Sequence, residues 1–299
     1  MTPCNVALLK RSIAGPVREH FPLSPLTTFG VGGSADVCIW PASTQDLVTL
    51  VKMKEDTSLN IIGGGSNLII SDGDIKGFVL CTKYLSSFSL FRKNNEVDIE
   101  VGTGVSLGVL VSFGLRYGFS GMEFGIGIPG TVGGAIIGNA GVQGETVSDV
   151  IQWVEVVDES GEVLRFKKEE LPWGYRRSVL QERNYIVTAC GLRLQAKDSY
   201  WVKEKADNFL QKRKSQPRGF KSAGCIFKNP DGESAGKLLD ECGCKGLRVG
   251  GAIVSEAHAN FILNMGDAKA ADIWALIEEC RRRVFEKTGY VLELEVRGF

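Results

Sequence analysis

A thiol, an ammonium group and a carboxamide fall within one short run, Cys225-Ile226-Phe227-Lys228-Asn229-Pro230. A thiol has an ordinary pKa near 8.5, so at neutral pH it is mostly protonated and can give up a proton. It can equally be a small buried hydrophobe, the commoner fate of a free cysteine. Lys228 would lower the thiol pKa if both side chains shared a face, although neighbours on a strand alternate. Pro172-Trp173-Gly174 reads as a turn leading into Tyr175-Arg176-Arg177-Ser178. An arginine beside an aromatic ring suits bidentate capture of a carboxylate or phosphate; the alternative is a solvated surface pair. Glu293 and Glu295 share one face of Leu292-Glu293-Leu294-Glu295-Val296-Arg297, opposite its apolar residues, and a solvated face is the default for them. His20 and His258 are the only histidines, which leaves little room for a histidine triad or a histidine-rich metal site. His258 reads as structural. Cys242-Gly243-Cys244 lacks partners for a metal, so no metal is expected.

Glycine supplies the second kind of chemistry. Of 37 glycines, 23 fall in residues 1–150. In Gly63-Gly64-Gly65-Ser66-Asn67, successive backbone N–H groups can point into one concavity with no side chain to hold a phosphate away; a tight turn between strands is the other reading. Gly125-Ile126-Gly127-Ile128-Pro129-Gly130 matches the G-x-G-x-x-G pattern literally, but residues 117–124 read as a helix end and loop, not the strand that a dinucleotide turn requires. An irregular loop against which a planar ligand can lie fits better.

The elements that must position these groups follow from periodicity. Leu47, Val48, Leu50 and Val51 mark an amphipathic helix, and Ile61-Ile62 and Leu68-Ile69-Ile70 are short strands around the glycine loop. Val97, Ile99 and Val101 alternate as a strand. A helix runs from Ser106, its N-cap, to Gly118, its C′ residue. Residues 150–158 and 163–167 form a hairpin around Glu159-Ser160-Gly161. A charged helix opens at Asp198 or Ser199 and stops at Pro217; another runs from an Asp267 cap to Lys287 and ends at Gly289; residues 291–297 form a last strand. The expected sections are residues 1–82, 83–195 and 196–299.

With 35 basic and 35 acidic residues the net charge is zero, which argues against nucleic acid as the main partner. The 21 uncharged residues from Phe124 to Gly144 have the length of a membrane span, yet eight are glycine and Pro129 interrupts them, so no membrane partner is expected. Cysteines without a C-x-x-C pair and without an export signal point to reduced thiols in a cytoplasmic protein.

Taken in order, residues 28–36, 63–72, 128–141, 175–178, 224–230, 249–264 and 292–297 resemble the UDP-N-acetylenolpyruvoylglucosamine reductase family, in its subtype without an inserted tyrosine-bearing loop. The resemblance covers nearly the whole chain from about Leu26. It implies an α+β protein: an FAD-binding fold of the vanillyl-alcohol-oxidase (PCMH) type in two subdomains, then a smaller α+β substrate-binding domain. It implies that Gly63, Gly64, Gly65, Ser66 and Asn67 lie on the pyrophosphate of a non-covalent FAD. Ile128, Pro129, Gly130, Thr131, Gly133, Gly134, Asn139, Ala140 and Gly141, with Gly144, would wrap the cofactor. NADPH would reduce the flavin, and a UDP-N-acetylglucosamine enolpyruvate would then take hydride at C3 and a proton at C2, in peptidoglycan precursor synthesis. Arg176 and Glu295 would polarise the enolpyruvyl carboxylate, and Tyr175, Arg213, Lys228 and Asn229 would bind substrate. Cys225 stands where the family usually has serine, which makes the proton donor a thiol. A monomer is expected. The alternatives are a flavin oxidase of the same fold acting on a small alcohol or lactone, and a nucleotide-sugar binding protein without chemistry.

Overall fold

Alternation of small β-branched and aliphatic residues builds the larger core. The computed structural model describes residues 3–299. Glu96–Gly102 buries Val97, Ile99 and Val101 and pairs antiparallel with Ile186–Ala196. The sheet order is Val163–Lys167, Ile151–Val157, Ile186–Ala196, Glu96–Gly102, Phe88–Lys93, with Phe119–Ser120 also on Ile186–Ala196. Leu107–Tyr117 packs Leu107, Leu110 and Val111 onto this core, between N-cap Ser106 and C-cap Gly118 at φ +70°. The positive φ is one that glycine adopts at no steric cost. A second sheet has the order Val17–Pro22, Ser34–Ile39, Ile75–Cys81, Leu59–Ile62. Thr44–Met53 lays Leu47, Val48, Leu50 and Val51 into the core beside it.

The chain forms two compact units. The first takes in Val37–Gly64 and Gly77–Arg213 with the chain up to Glu19; the second comprises His20–Asp36, Gly65–Lys76 and Lys214–Phe299. These units are discontinuous, unlike the three consecutive sections read from the sequence. The reason is long-range pairing. Leu68–Ile69 pairs in parallel with Arg297–Gly298, so an early strand is completed by the chain terminus. In the second unit a small sheet, Arg248–Val249, Ala252–Val254 and Ile262–Asn264, packs with the helices Ala235–Glu241 and Ala270–Thr288 around Ile273, Leu276, Ile277 and Val284. The helix Ser199–Lys212, expected to open the third section, sits in the first unit, where Phe209 joins the larger core.

Three element ends differ from expectation. The helix opened by Asp198, whose carboxylate accepts from Tyr200 N–H (3.0 Å) and Trp201 N–H (3.2 Å), stops at Lys212, short of Pro217. The long helix begins at Ala270, three residues after Asp267. Asp72, remote in sequence, takes the first amides: Ala270 N–H at 2.8 Å and Ala271 N–H at 3.1 Å. Residues 292–296 hold a single isolated bridge, at Leu294, where a continuous strand was expected. Replacing Asp72 by alanine strands two helix-start N–H groups, which at the usual worth of an N-terminal cap costs about 1–2 kcal/mol. Urea unfolding of Asp72→Ala should show that loss as a lower midpoint at unchanged slope.

Candidate active site

In the first unit, the glycine-rich segment is stitched to the loop between Glu96–Gly102 and the helix that follows it. Leu107 N–H donates to Gly130 O (3.0 Å), Val132 N–H to Val105 O (2.9 Å) and Gly133 N–H to Thr103 O (2.9 Å). Thr131 caps the short helix Val132–Ile137, its hydroxyl accepting from Gly134 N–H at 3.4 Å. Gly63 and Gly64 run against this turn. A Cβ on Gly63 would lie 2.8 Å from Thr131 Oγ1, and one on Gly64 2.6 Å from Gly130 Cα. The two glycine-rich segments therefore pack main chain to main chain. Gly64 and Gly134 remain exposed while Ile62, Thr131, Val132 and Ala135 are buried, which leaves bare backbone open on an otherwise closed surface. Gly125 closes the 3-10 turn Glu123–Gly125 and follows no strand directly, so the G-x-G-x-x-G spacing is not a dinucleotide turn.

Arg176 belongs to the same unit. Trp173–Gly174 pairs with Arg177–Ser178, and Tyr175 and Arg176 form the tip, Arg176 at φ +55°. A non-glycine residue in that region costs roughly 1–2 kcal/mol and persists only if its surroundings hold it. Arg176 Nη1 donates to Gly141 O (2.9 Å), Asn139 Nδ2 to Gly174 O (2.9 Å), and Ser178 Oγ to Ile137 O (2.8 Å). Gln181 Nε2 donates to Arg176 O at 3.1 Å. Asn139 and Gly141, singled out for the cofactor, thus brace the hairpin that carries Arg176. The guanidinium carbon lies 5.2 Å from the Tyr175 ring centroid, a cation–π contact on an exposed ring. Arg213, at the end of its helix, donates from Nη2 to Gly127 O at 3.2 Å.

The second unit brings together Cys225, Lys228, Asn229, Asn67 and Glu295. Segment 225–228 runs between two others. On one side Phe227 bridges Leu294, Glu295 N–H donates to Ile226 O (2.8 Å) and Lys228 N–H donates to Glu293 O (2.9 Å). On the other, Cys225 bridges Phe261 and Ile226 N–H donates to Asn260 O at 2.9 Å. Cys225 is half-buried and follows Gly224 at φ +78°. Lys228 Nζ pairs with Glu293 Oε2 at 3.2 Å, so the cation offered to the thiol by the sequence is turned to a carboxylate. Asn229 Oδ1 accepts from Ala235 N–H (3.0 Å) at the start of the helix Ala235–Glu241. Asn67 Nδ2 donates to Glu295 O at 2.9 Å, and Asn67 O accepts from Arg297 N–H at 3.0 Å. Gly65 O accepts from Thr28 N–H at 3.0 Å.

Sequence reasoning passed over Asn260 and Gln181. Both act through side-chain amides on distant backbone, and no local pattern marks such a partner. His258 stands as the structural residue it was read to be: its Nδ1 accepts from Asn260 N–H (3.2 Å) and its ring meets Phe261 edge-on at 5.0 Å. Among the described residues no group of three or more His, Cys, Asp or Glu is placed to hold a metal, and no helix is long and apolar enough to cross a membrane.

Residues 216–299 match the family described as UDP-N-acetylenolpyruvoylglucosamine reductase, C-terminal domain, and residues 35–167 match an FAD binding domain. The chain is 39% identical over 296 residues to the UDP-N-acetylenolpyruvoylglucosamine reductase of Heliobacterium modesticaldum, covering 97% of this chain and 92% of that one. It is 40% identical to the enzyme of the same name from Desulfosudis oleivorans, over 94% and 93% of the two chains. The crystal structure of the Thermus caldophilus reductase superimposes with a TM-score of 0.82 at 36% identity, covering 96% of this chain and 99% of that one. The α+β class with an FAD-binding domain, expected from the sequence, is borne out.

The residues present fit FAD. Gly64 and Gly134 offer exposed backbone on packed main chain, where a flat or phosphate-bearing group can approach closely. A Cβ at Gly134 would meet nothing of the protein nearer than 3.7 Å. Gly134→Ala should therefore leave unfolding stability equal or raised by up to about 1 kcal/mol, from helix propensity. It should weaken flavin binding about tenfold, by crowding at the ligand face; fluorescence titration of stripped protein with FAD measures the second effect. A separate outcome concerns His258, whose pKa burial pushes below the ordinary value. A depressed folded-state pKa gives stability that is present above the unfolded value, about 6.5, and lost as pH falls below it. The melting temperature should drop more steeply on acidification from pH 7 to 5 in the native protein than in His258→Gln.

Proposed function

The chain belongs to the UDP-N-acetylenolpyruvoylglucosamine reductase family, and from that premise we propose how its own residues divide the work. The family consists of FAD-dependent oxidoreductases of peptidoglycan precursor synthesis that use NADPH. When bound, FAD would supply hydride for C3 of the enolpyruvyl group, with NADPH as the reductant. Arg176 and Glu295 polarise the enolpyruvyl carboxylate so that negative charge developing next to it is stabilised. Cys225 delivers the proton: its S–H bond breaks as the new C2–H bond forms, leaving a thiolate that a proton from water restores. Gly63, Gly64, Gly65, Ser66 and Asn67, with the segment 128–141, hold the cofactor against bare backbone. Tyr175, Arg213, Lys228 and Asn229 hold the UDP-sugar. For Lys228 this requires exchange of its Glu293 partner for substrate, and Asn229 keeps its amide nitrogen for a ligand while its oxygen caps a helix. A cytoplasmic monomer completes this reading.

One observation carries the assignment of Cys225. Segment 225–228 is fixed between residues 260–261 and 293–296, so the half-buried thiol and Glu295 are carried by adjacent, hydrogen-bonded segments. A thiol is a stronger acid than the usual serine hydroxyl, so proton delivery is retained, while a thiolate cannot deliver and reoxidation should fall as the thiol ionises. Rapid mixing of reduced holoenzyme with the enolpyruvyl substrate tests this. Cys225→Ala should slow flavin reoxidation by about 100-fold or more, in the range of general-acid contributions. Cys225→Ser should keep appreciable activity with the alkaline fall moved to higher pH, and an unimpaired alanine variant would sink the donor role.

A further inference from the structure

We propose that Asn260 is a positioning residue for proton delivery, holding Cys225 in register through Phe227; the inference rests on Cys225 being the acid. Asn260 is 3% exposed. Its Oδ1 accepts from Phe227 N–H at 2.9 Å and its Nδ2 donates to Phe227 O at 2.8 Å. Its own carbonyl takes Ile226 N–H at 2.9 Å. The backbone of 260–261 pairs with Cys225 and Ile226. Where that ladder ends, the Asn260 carboxamide stands in for the next peptide group, offering one donor and one acceptor in a plane. Among side chains only Asn and Gln carry a carboxamide, with donor and acceptor on one carbon as in a peptide group.

The clamp acts two residues from Cys225, on the same short segment. Upstream, the chain reaches Cys225 through Gly224 at φ +78°, with open space at its Cβ position. Downstream, the peptide of Phe227 is gripped on both polar atoms. A shift of about 1 Å in a reacting group is enough to cost on the order of 100-fold in rate. The effect of losing the clamp should therefore appear in the step that uses the proton and not in reduction of the flavin.

The test is rapid mixing of the FAD-loaded protein in both half-reactions. Asn260→Ala should reduce its flavin with NADPH at a rate within twofold of the native protein and load FAD equally, while reoxidation by the enolpyruvyl substrate slows roughly 10- to 100-fold. Adding Asn260→Ala to Cys225→Ala should slow reoxidation no further, because the clamp acts through the thiol it positions. Asn260→Asp is the second variant and decides the matter if the alanine protein does not accumulate. Ionised, it keeps only the acceptor for Phe227 N–H; protonated, it regains a donor for Phe227 O, so its reoxidation defect should shrink on acidification. Equal slowing of both half-reactions, additive loss in the double variant, or no pH rescue in Asn260→Asp would overturn the proposal. An impaired Cys225→Ala with unimpaired Asn260 variants overturns it alone. An unimpaired Cys225→Ala removes the donor reading, and the clamp with it.

Discussion

The peptide groups of Glu295 tie the second unit's chemistry together. Its N–H goes to Ile226 O, which locks the C-terminal segment to the run bearing Cys225. Its carbonyl takes Asn67 Nδ2, which locks the same segment to the second half of the early glycine loop. Two residues on, Arg297 N–H returns to Asn67 O and the parallel pair with Leu68–Ile69 begins. Segments some 70 and 230 positions apart thus share one stretch of backbone. A residue in this stretch cannot move without disturbing the glycine loop, the thiol segment or both. That explains how the backbone of Glu295 is held at a defined place without being on a regular strand.

In the first unit the corresponding constraint is steric. Gly63 and Gly64 meet Gly130 and Thr131 at distances no Cβ allows, and Gly133 meets Thr103 at 1.6 Å from where a Cβ would stand. These glycines are required by the protein's own packing before any ligand arrives. Gly134 is different, because the protein leaves room for a side chain there. The excess of glycine in the first half therefore has two physical origins: main-chain contact within the fold, and exposed backbone at the ligand face. Composition alone cannot separate them.

Much was legible from the sequence because it depends on neighbours in the chain. The helix between Ser106 and Gly118, the hairpin over residues 151–167 and the alternation of Val97, Ile99 and Val101 are read from local periodicity and caps, and the structure has them. The order of the motifs made the family legible as well. What could not be read depends on distant partners. Asp72 capping a helix that starts at Ala270, Asn139 bracing Gly174, and Asn260 gripping Phe227 join residues 198, 35 and 33 positions apart. An alternating run such as 292–296 announces a strand, but only tertiary contacts determine that it is fixed by one bridge and a few backbone hydrogen bonds. The two-unit division was hidden for the same reason, since the residues that close the second unit lie at three places in the chain.

The acid role proposed for Cys225 requires that the other seven of the eight cysteines stay quiet. Burial does this for several. It pushes the Cys38 thiol up to about 12, and it raises Cys81 and Cys190 as well, because a thiolate in an apolar core has no solvent to stabilise it. Cys244 is the exception in direction: a hydrogen bond with Cys280, helped by Arg283, lowers it. Both members of that pair are buried, so nucleophilicity there has no access to a reagent. Cys225 and Cys242 are half-buried, and burial raises Cys242. An electrophile that modifies the half-buried Cys225 would remove the proposed acid. Serine in that place would escape such reagents, so the thiol brings a vulnerability along with its greater acidity. Cys38, Cys81 and Cys190 are hydrophobic filler whose protonated state burial enforces.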